Sequence, residues 1–115
     1  MNRLSFFVLV LLLSGIKNLQ AGNIYKVDYP NQADVKVFIV EYPNQADLLV
    51  YVTNQILVAK DKDEIWHYVK YPNQSDIKVY FVDYPNQAEV KVYFVEFVNQ
   101  ARWRIESKNM GRFKL

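Results

Sequence analysis

Residues 28–52 read DYPNQADVKVFIVEYPNQADLLVYV. Tyr-Pro-Asn-Gln occurs in it twice, at Tyr29–Gln32 and Tyr42–Gln45, and again at Tyr71–Gln74 and Tyr84–Gln87. Between copies the apolar residues alternate. Val35, Val37 and Ile39 fall on one side, and Asp34, Lys36, Phe38, Val40 and Tyr42 on the other. A period of two rich in Val, Ile, Tyr and Phe is the pattern of a half-buried β-strand. The later copies repeat it: Leu48, Val50 and Val52; Ile77, Val79 and Phe81; Val90, Val92 and Phe94. Across the chain the pattern predicts strands near 24–29, 34–42, 47–53, 56–60, 65–70, 76–83, 89–96 and 102–106. No stretch after Ala21 keeps apolar residues at helical spacing over three turns, so the expected class is all-β.

Tyr-Pro-Asn-Gln is a turn on its own chemistry. Pro30, Pro43, Pro72 and Pro85 fix φ near the value wanted at the second position of a β-turn. Asn31, Asn44, Asn73 and Asn86 tolerate positive φ at the third. Pro lacks an N–H and ends strand pairing, and Tyr29, Tyr42, Tyr71 and Tyr84 before it are pushed towards extended backbone. These twelve residues are structural turn positions, and the motif needs no ligand.

The Asn-Gln dipeptides start at Asn31, Asn44, Asn54, Asn73, Asn86 and Asn99, at intervals of 13, 10, 19, 13 and 13. Pro30 and Pro72, like Pro43 and Pro85, lie 42 residues apart. The chain therefore reads as two duplicated halves, each built from 13-residue units, with Lys60-Asp61-Lys62-Asp63-Glu64 as a charged connector.

The start, MNRLSFFVLVLLLSGIKNLQAG, has Arg3 ahead of an apolar run from Phe6 to Leu13 and a small residue at Ala21. That layout is an export signal over 1–21, and the run is short of the ~20 residues of a spanning helix. No Cys follows to carry a lipid. The expectation is an exported protein, secreted or periplasmic, without a membrane anchor after cleavage near Ala21. Domain boundaries follow: a β domain over 22–106 and a flexible basic tail over 107–115.

Removing Arg3 and Lys17 leaves 12 basic and 12 acidic residues. With no Lys/Arg stripe along the units, a nucleic-acid partner is not expected. The chain has no cysteine, so disulfides cannot supplement its core.

Candidate chemistry is sparse. Asp34/Lys36, Asp76/Lys78 and Glu89/Lys91 recur at i, i+2. Such a row of carboxylates suits cations or sugars, but its periodicity favours cross-strand charge pairing on the solvent side. His67 is the only histidine, and Asp61, Asp63 and Glu64 are its nearest acidic neighbours in sequence, a poor zinc set. Ser75 and Ser107 lack a nucleophile-elbow context. No catalytic, cofactor-binding or metal residue is assigned. The aromatic positions Tyr29, Tyr42, Tyr71 and Tyr84, and Phe38, Tyr51, Tyr80 and Tyr93, are expected in or partly in the core. If exposed, they form the best candidate contact surface.

The units Y-P-N-Q-A-D-x-K-V-Y-F-V, in a small exported all-β chain, resemble the septoil-knot domain family. The likeness covers about residues 24–106 and departs at Val52-Thr53-Asn54-Gln55, which lacks Tyr-Pro. The resemblance implies a backbone threaded into a seven-crossing torus knot, kinetic persistence without disulfides, and no known activity, cofactor or substrate. An unknotted β meander or sandwich satisfies the same alternation. The expected function is a monomeric structural or binding module of unknown partner. The rival readings are a cell-envelope carbohydrate-active hydrolase and a secreted inhibitor or effector.

Overall fold

The computed structural model describes residues 22–55 and 62–105. The export signal, the strand expected at 56–60, Asp61, Ser107 and the tail lie outside the described residues.

Seven strands form: β1 (Asn23–Lys26), β2 (Val35–Ile39), β3 (Leu48–Val52), β4 (Ile65–Tyr68), β5 (Ile77–Phe81), β6 (Val90–Phe94) and β7 (Arg102–Trp103). No α-helix occurs among the described residues. Each strand is shorter than its alternating stretch. The alternation of β2 fails at its end, where Ile39 is 46% exposed and Val40 is buried. There the chain is already leaving the sheet.

The strand order is β4-β1-β5-β2-β6-β3-β7, and β3 also pairs with β4. The first six strands therefore close into a barrel, and all their pairings are parallel. β3 divides one of its edges. Tyr51 and Val52 pair with β4, whereas Leu48 and Leu49 pair antiparallel with β7. Strands from before the charged connector alternate around the ring with strands from after it.

Apart from β3 and β4, consecutive strands thus lie two places apart, and the link between them must cross a strand. A parallel crossover usually takes a dozen or more residues; here β1 and β2 are joined by eight, 27–34. Two features allow it. First, the link makes no helix and only steps over β5. It leaves one edge where Val27 N–H donates to Val79 O (2.9 Å) and rejoins the other where Asp34 N–H donates to Lys78 O (2.7 Å). Second, the strands are staggered. Lys26 and Val35 both pair with Val79, and Ile39 and Leu48 both pair with Val92. Each is a step of nine residues inside a 13-residue unit, so the remainder is taken up as a climb along the barrel axis.

The same strap recurs. Residues 40–47 cross β6, anchored by Val40 N–H to Val92 O and Asp47 N–H to Lys91 O. Residues 69–76 cross β1, anchored at Ile24 O and Asn23 O, and 82–89 cross β2, anchored at Val37 O and Lys36 O. The segment after β6 packs its turn on β3. Every strap passes over a strand from the opposite side of the connector.

The barrel interior is filled by Ile24, Val35, Val37, Leu48, Val50, Trp66, Ile77, Val79, Val90 and Val92, all at most 2% exposed. Phe81, Phe94 and Trp103 pack against them. β-Branched side chains suit this interior because their χ1 is already restricted. A second apolar cluster, Val40, Ala46 and Leu49 with Phe38, Tyr93 and Val95, lies between a strap and the outer face of the sheet. The barrel is thus covered on both sides at that point, as parallel sheets usually are.

Candidate functional site

All four Tyr-Pro-Asn-Gln copies adopt one geometry. Tyr29, Tyr42, Tyr71 and Tyr84 are extended, with φ between −132° and −127° and ψ between 141° and 144°. Pro30–Gln32, Pro43–Gln45, Pro72–Gln74 and Pro85–Gln87 each make one 3-10 turn. The glutamine N–H donates to the tyrosine carbonyl at 3.0–3.1 Å, and the next N–H donates to the proline carbonyl at 3.2 Å. Val98–Gln100 does the same after Phe97. The turn differs from the expected one at its third position. Asn31, Asn44, Asn73 and Asn86 sit inside the 3-10 turn, where φ is negative, so their tolerance of positive φ is not used. Glutamine has the larger role. Gln45, Gln74 and Gln100 Oε1 accept from the N–H of Tyr42 (3.3 Å), Tyr71 (3.3 Å) and Phe97 (3.2 Å). This satisfies a donor that the departing strand leaves behind.

The aromatic expectation divides in two. Phe38, Tyr51, Tyr80 and Tyr93 are half-buried on the outer face of the sheet. The turn aromatics are exposed, between 59% and 64%, at Tyr29, Tyr42, Tyr71, Tyr84 and Phe97. The extended backbone before Pro aims them off the strap crest, away from both apolar clusters.

The periodic carboxylates act on the backbone. Asp34 Oδ2 accepts from Lys78 N–H (2.8 Å), Asp47 Oδ2 from Lys91 N–H (2.9 Å), Glu89 Oε1 from Lys36 N–H (2.9 Å) and Asp76 Oδ2 from Asn23 N–H (3.3 Å). In each case the same residue's own N–H donates back to that partner's carbonyl. The carboxylate thus replaces the missing carbonyl of a neighbouring strand and clamps the strap foot onto the strand it crosses. Asp47→Ala is expected to lower stability by about 1–2 kcal/mol, because a charged acceptor is lost at a half-buried site. Asp47→Asn, which keeps an acceptor oxygen, loses less. Denaturant midpoints at unchanged m-value measure the difference.

One cluster carries no periodic signal. Asp63, in the charged connector, is 2% exposed. Its Oδ2 accepts from Trp103 Nε1 (2.9 Å), and its backbone carbonyl accepts from Trp66 Nε1 (2.9 Å). His67 Nδ1 lies 3.3 Å from Asn23 Oδ1. Ser75 Oγ donates to Pro72 O (2.6 Å), so it serves the turn. Among the described residues no group of three His, Cys, Asp or Glu is arranged to hold a metal.

Surface cavities are found among the described residues. One of about 530 Å³ is lined by Tyr51, Val52, Thr53, Asn54, His67 and Tyr68. Burial pushes the Tyr68 hydroxyl pKa up to about 12. A second, of about 410 Å³, lies between straps 27–34 and 82–89 and is lined by Pro30, Lys36, Tyr80, Val82, Asp83 and Gln87. A third, of about 520 Å³, is lined by Pro43, Leu49, Tyr93, Phe94, Val95, Glu96, Phe97, Gln100 and Arg102. Six of its residues stand 13 positions after those of the second.

No curated protein and no solved structure matches the chain. Residues 21–104, covering the whole barrel with its straps, match the model of the 7(1) septoil knot domain, and the chain belongs to that family.

Proposed function

We propose that the protein is a non-catalytic, exported β module whose straps hold a persistent scaffold and present side chains to a partner. The observation that carries this reading is the interleaving: each strap crosses a strand from the other side of the connector. Neither set of strands can leave without drawing its straps past the other. A backbone wound in this way fits the seven-crossing knot for which the family is named, and fits two duplicated halves wound around each other. Such an arrangement removes cheap local routes to unfolding and favours kinetic stability, useful to a chain exported without disulfides.

The non-catalytic part is supported by where the carboxylates are. Sugar hydrolysis needs a pair of them flanking one cleft. Asp34, Asp47, Asp76 and Glu89 face backbone N–H groups, and two of the cavities are lined by one carboxylate each, Asp83 and Glu96. An inhibitory loop at 60–68 is disfavoured because Asp63, Ile65 and Trp66 there are buried.

Unfolding kinetics test the scaffold reading. The unfolding rate extrapolated to water is expected below about 10⁻⁵ s⁻¹, at the slow end for small domains. Unfolding within seconds would sink it.

A further inference from the structure

The two grooves 13 residues apart form a natural comparison. In the first, between straps 27–34 and 82–89, the chain supplies its own cation: Lys36 lines it together with Tyr80 and Asp83. In the second, the corresponding residues are Leu49, Tyr93 and Glu96. The aromatic and the acid are kept, and the ammonium is replaced by an apolar side chain. Lys78 and Lys91 hold the same position in the other units, so Leu49 is the departure.

A second cation is replaced in the same direction. Lys26 Nζ lies 5.3 Å from the Phe81 ring centroid, a cation–π contact made by the barrel itself. Thirteen residues on from Phe81 is Phe94, which lines the second groove, and thirteen on from Lys26 is Ile39. The charge changes again at Arg102. The other units place Asp34, Asp47, Asp76 and Glu89 there, whereas here a guanidinium lines the groove.

We infer that this groove, between straps 40–47 and 95–101, binds a zwitterion of the phosphocholine type. Its quaternary ammonium meets Tyr93 and Phe97 beside Glu96, and its phosphate meets Arg102. The match is one of charge and hydration. A methylated ammonium is bulky and weakly hydrated, so aromatic faces and the apolar Leu49 and Val95 suit its methyl groups, while Glu96 supplies the counter-charge. The planar guanidinium suits a phosphate through paired N–H donors. The volume, about 520 Å³, falls within the ~300–1,000 Å³ of ligand sites. The first groove is lined by its own ammonium at Lys36 and by no guanidinium, and Glu89 holds the sequence position of Arg102, so it does not compete. The site does not depend on how slowly the barrel unfolds, so its failure leaves the scaffold reading standing, and the reverse.

Calorimetric titration of the protein with phosphocholine, choline and inorganic phosphate tests the site. Phosphocholine is expected to bind saturably, at least tenfold more tightly than either fragment. R102E restores the acid of the other units on an exposed side chain and is expected to weaken phosphocholine at least tenfold. L49K restores the ammonium and is expected to do the same; because Leu49 is buried, its folding is checked first, and R102E decides alone if it unfolds. Glycerophosphocholine and phosphatidylcholine vesicles separate a free ligand from a lipid headgroup. Binding of either that is lost in R102E supports the site from that source. Equal affinity for choline and phosphocholine, no effect of R102E, or vesicle binding that survives R102E overturns the inference.

Discussion

Trp66→Ala is expected to cost about 3–5 kcal/mol, the range for truncating a large aromatic in a packed core. Trp66 is fully buried at the start of β4. It contacts Phe94 edge-on (ring centroids 5.8 Å, planes at 79°), Tyr68 edge-on (6.2 Å, 87°) and Phe81 at a tilt (6.5 Å, 44°). Those rings belong to β6, β4 and β5, so one side chain joins three strands. Edge-to-face pairs add to simple burial, about 0.5–1.5 kcal/mol each. Trp66→Phe keeps part of the volume and is expected to lose about 1–3 kcal/mol. Tyr29→Ala, at an exposed turn, is expected within about 0.5 kcal/mol of the parent. Guanidinium unfolding midpoints rank the three. A cost below about 1 kcal/mol for Trp66→Ala would mean that the barrel interior is not packed as described.

That ranking shows which parts of the fold the sequence makes legible. The alternation at Val35, Val37, Val79 and Val92 assigns those residues to a core, and all four are fully buried. The Pro-Asn-Gln turns are legible because proline and its neighbours act locally. The closed parallel ring is not. Alternation is the same in either strand direction, and partners 44 or 53 residues apart, such as Val35 with Val79 and Val37 with Val90, leave no local signal. The turn tyrosines are misread for a related reason. Their hydrophobicity suggests burial, but the strap carries them past the edge of the apolar layer. Conversely, Asp34, Asp47, Asp76 and Glu89 look like solvent charges, because a carboxylate that clamps a distant backbone has the same sequence as one that pairs with lysine. The second groove is legible in part. Leu49 and Arg102 visibly break the 13-residue pattern, yet only the fold brings them to one cavity.

Asp63 is the hardest of these residues to find, and its removal is the second large effect expected. Within Lys60-Asp61-Lys62-Asp63-Glu64 it reads as one more solvated charge. In the fold it joins the connector to β7 through its carboxylate, which accepts from Trp103 Nε1, and to β4 through its backbone carbonyl, which accepts from Trp66 Nε1. β7 has only two residues and pairs with β3 alone, so its hydrogen bonds with β3 are few. The Asp63 carboxylate adds a side-chain anchor to a short strand otherwise held by its pairing with β3 and by Arg104, whose N–H donates to Asp47 O (2.8 Å) and whose Nε donates to Ala46 O (2.7 Å). Asp63→Ala leaves the Trp103 indole N–H without its charged acceptor in a half-buried site and opens a void, and is expected to cost about 2–4 kcal/mol. Asp63→Asn, which can present a carbonyl oxygen to the indole, is expected to cost less than half of that. A cycle with Trp103→Phe isolates the contact: coupling of about 1–3 kcal/mol is expected for residues sharing one buried bond. Additive losses would show that Asp63 stabilises the connector and β7 independently. Arg102 adjoins Trp103, so a loosened β7 also displaces the guanidinium proposed to bind phosphate. Asp63→Ala should then weaken phosphocholine even at temperatures where the barrel remains folded.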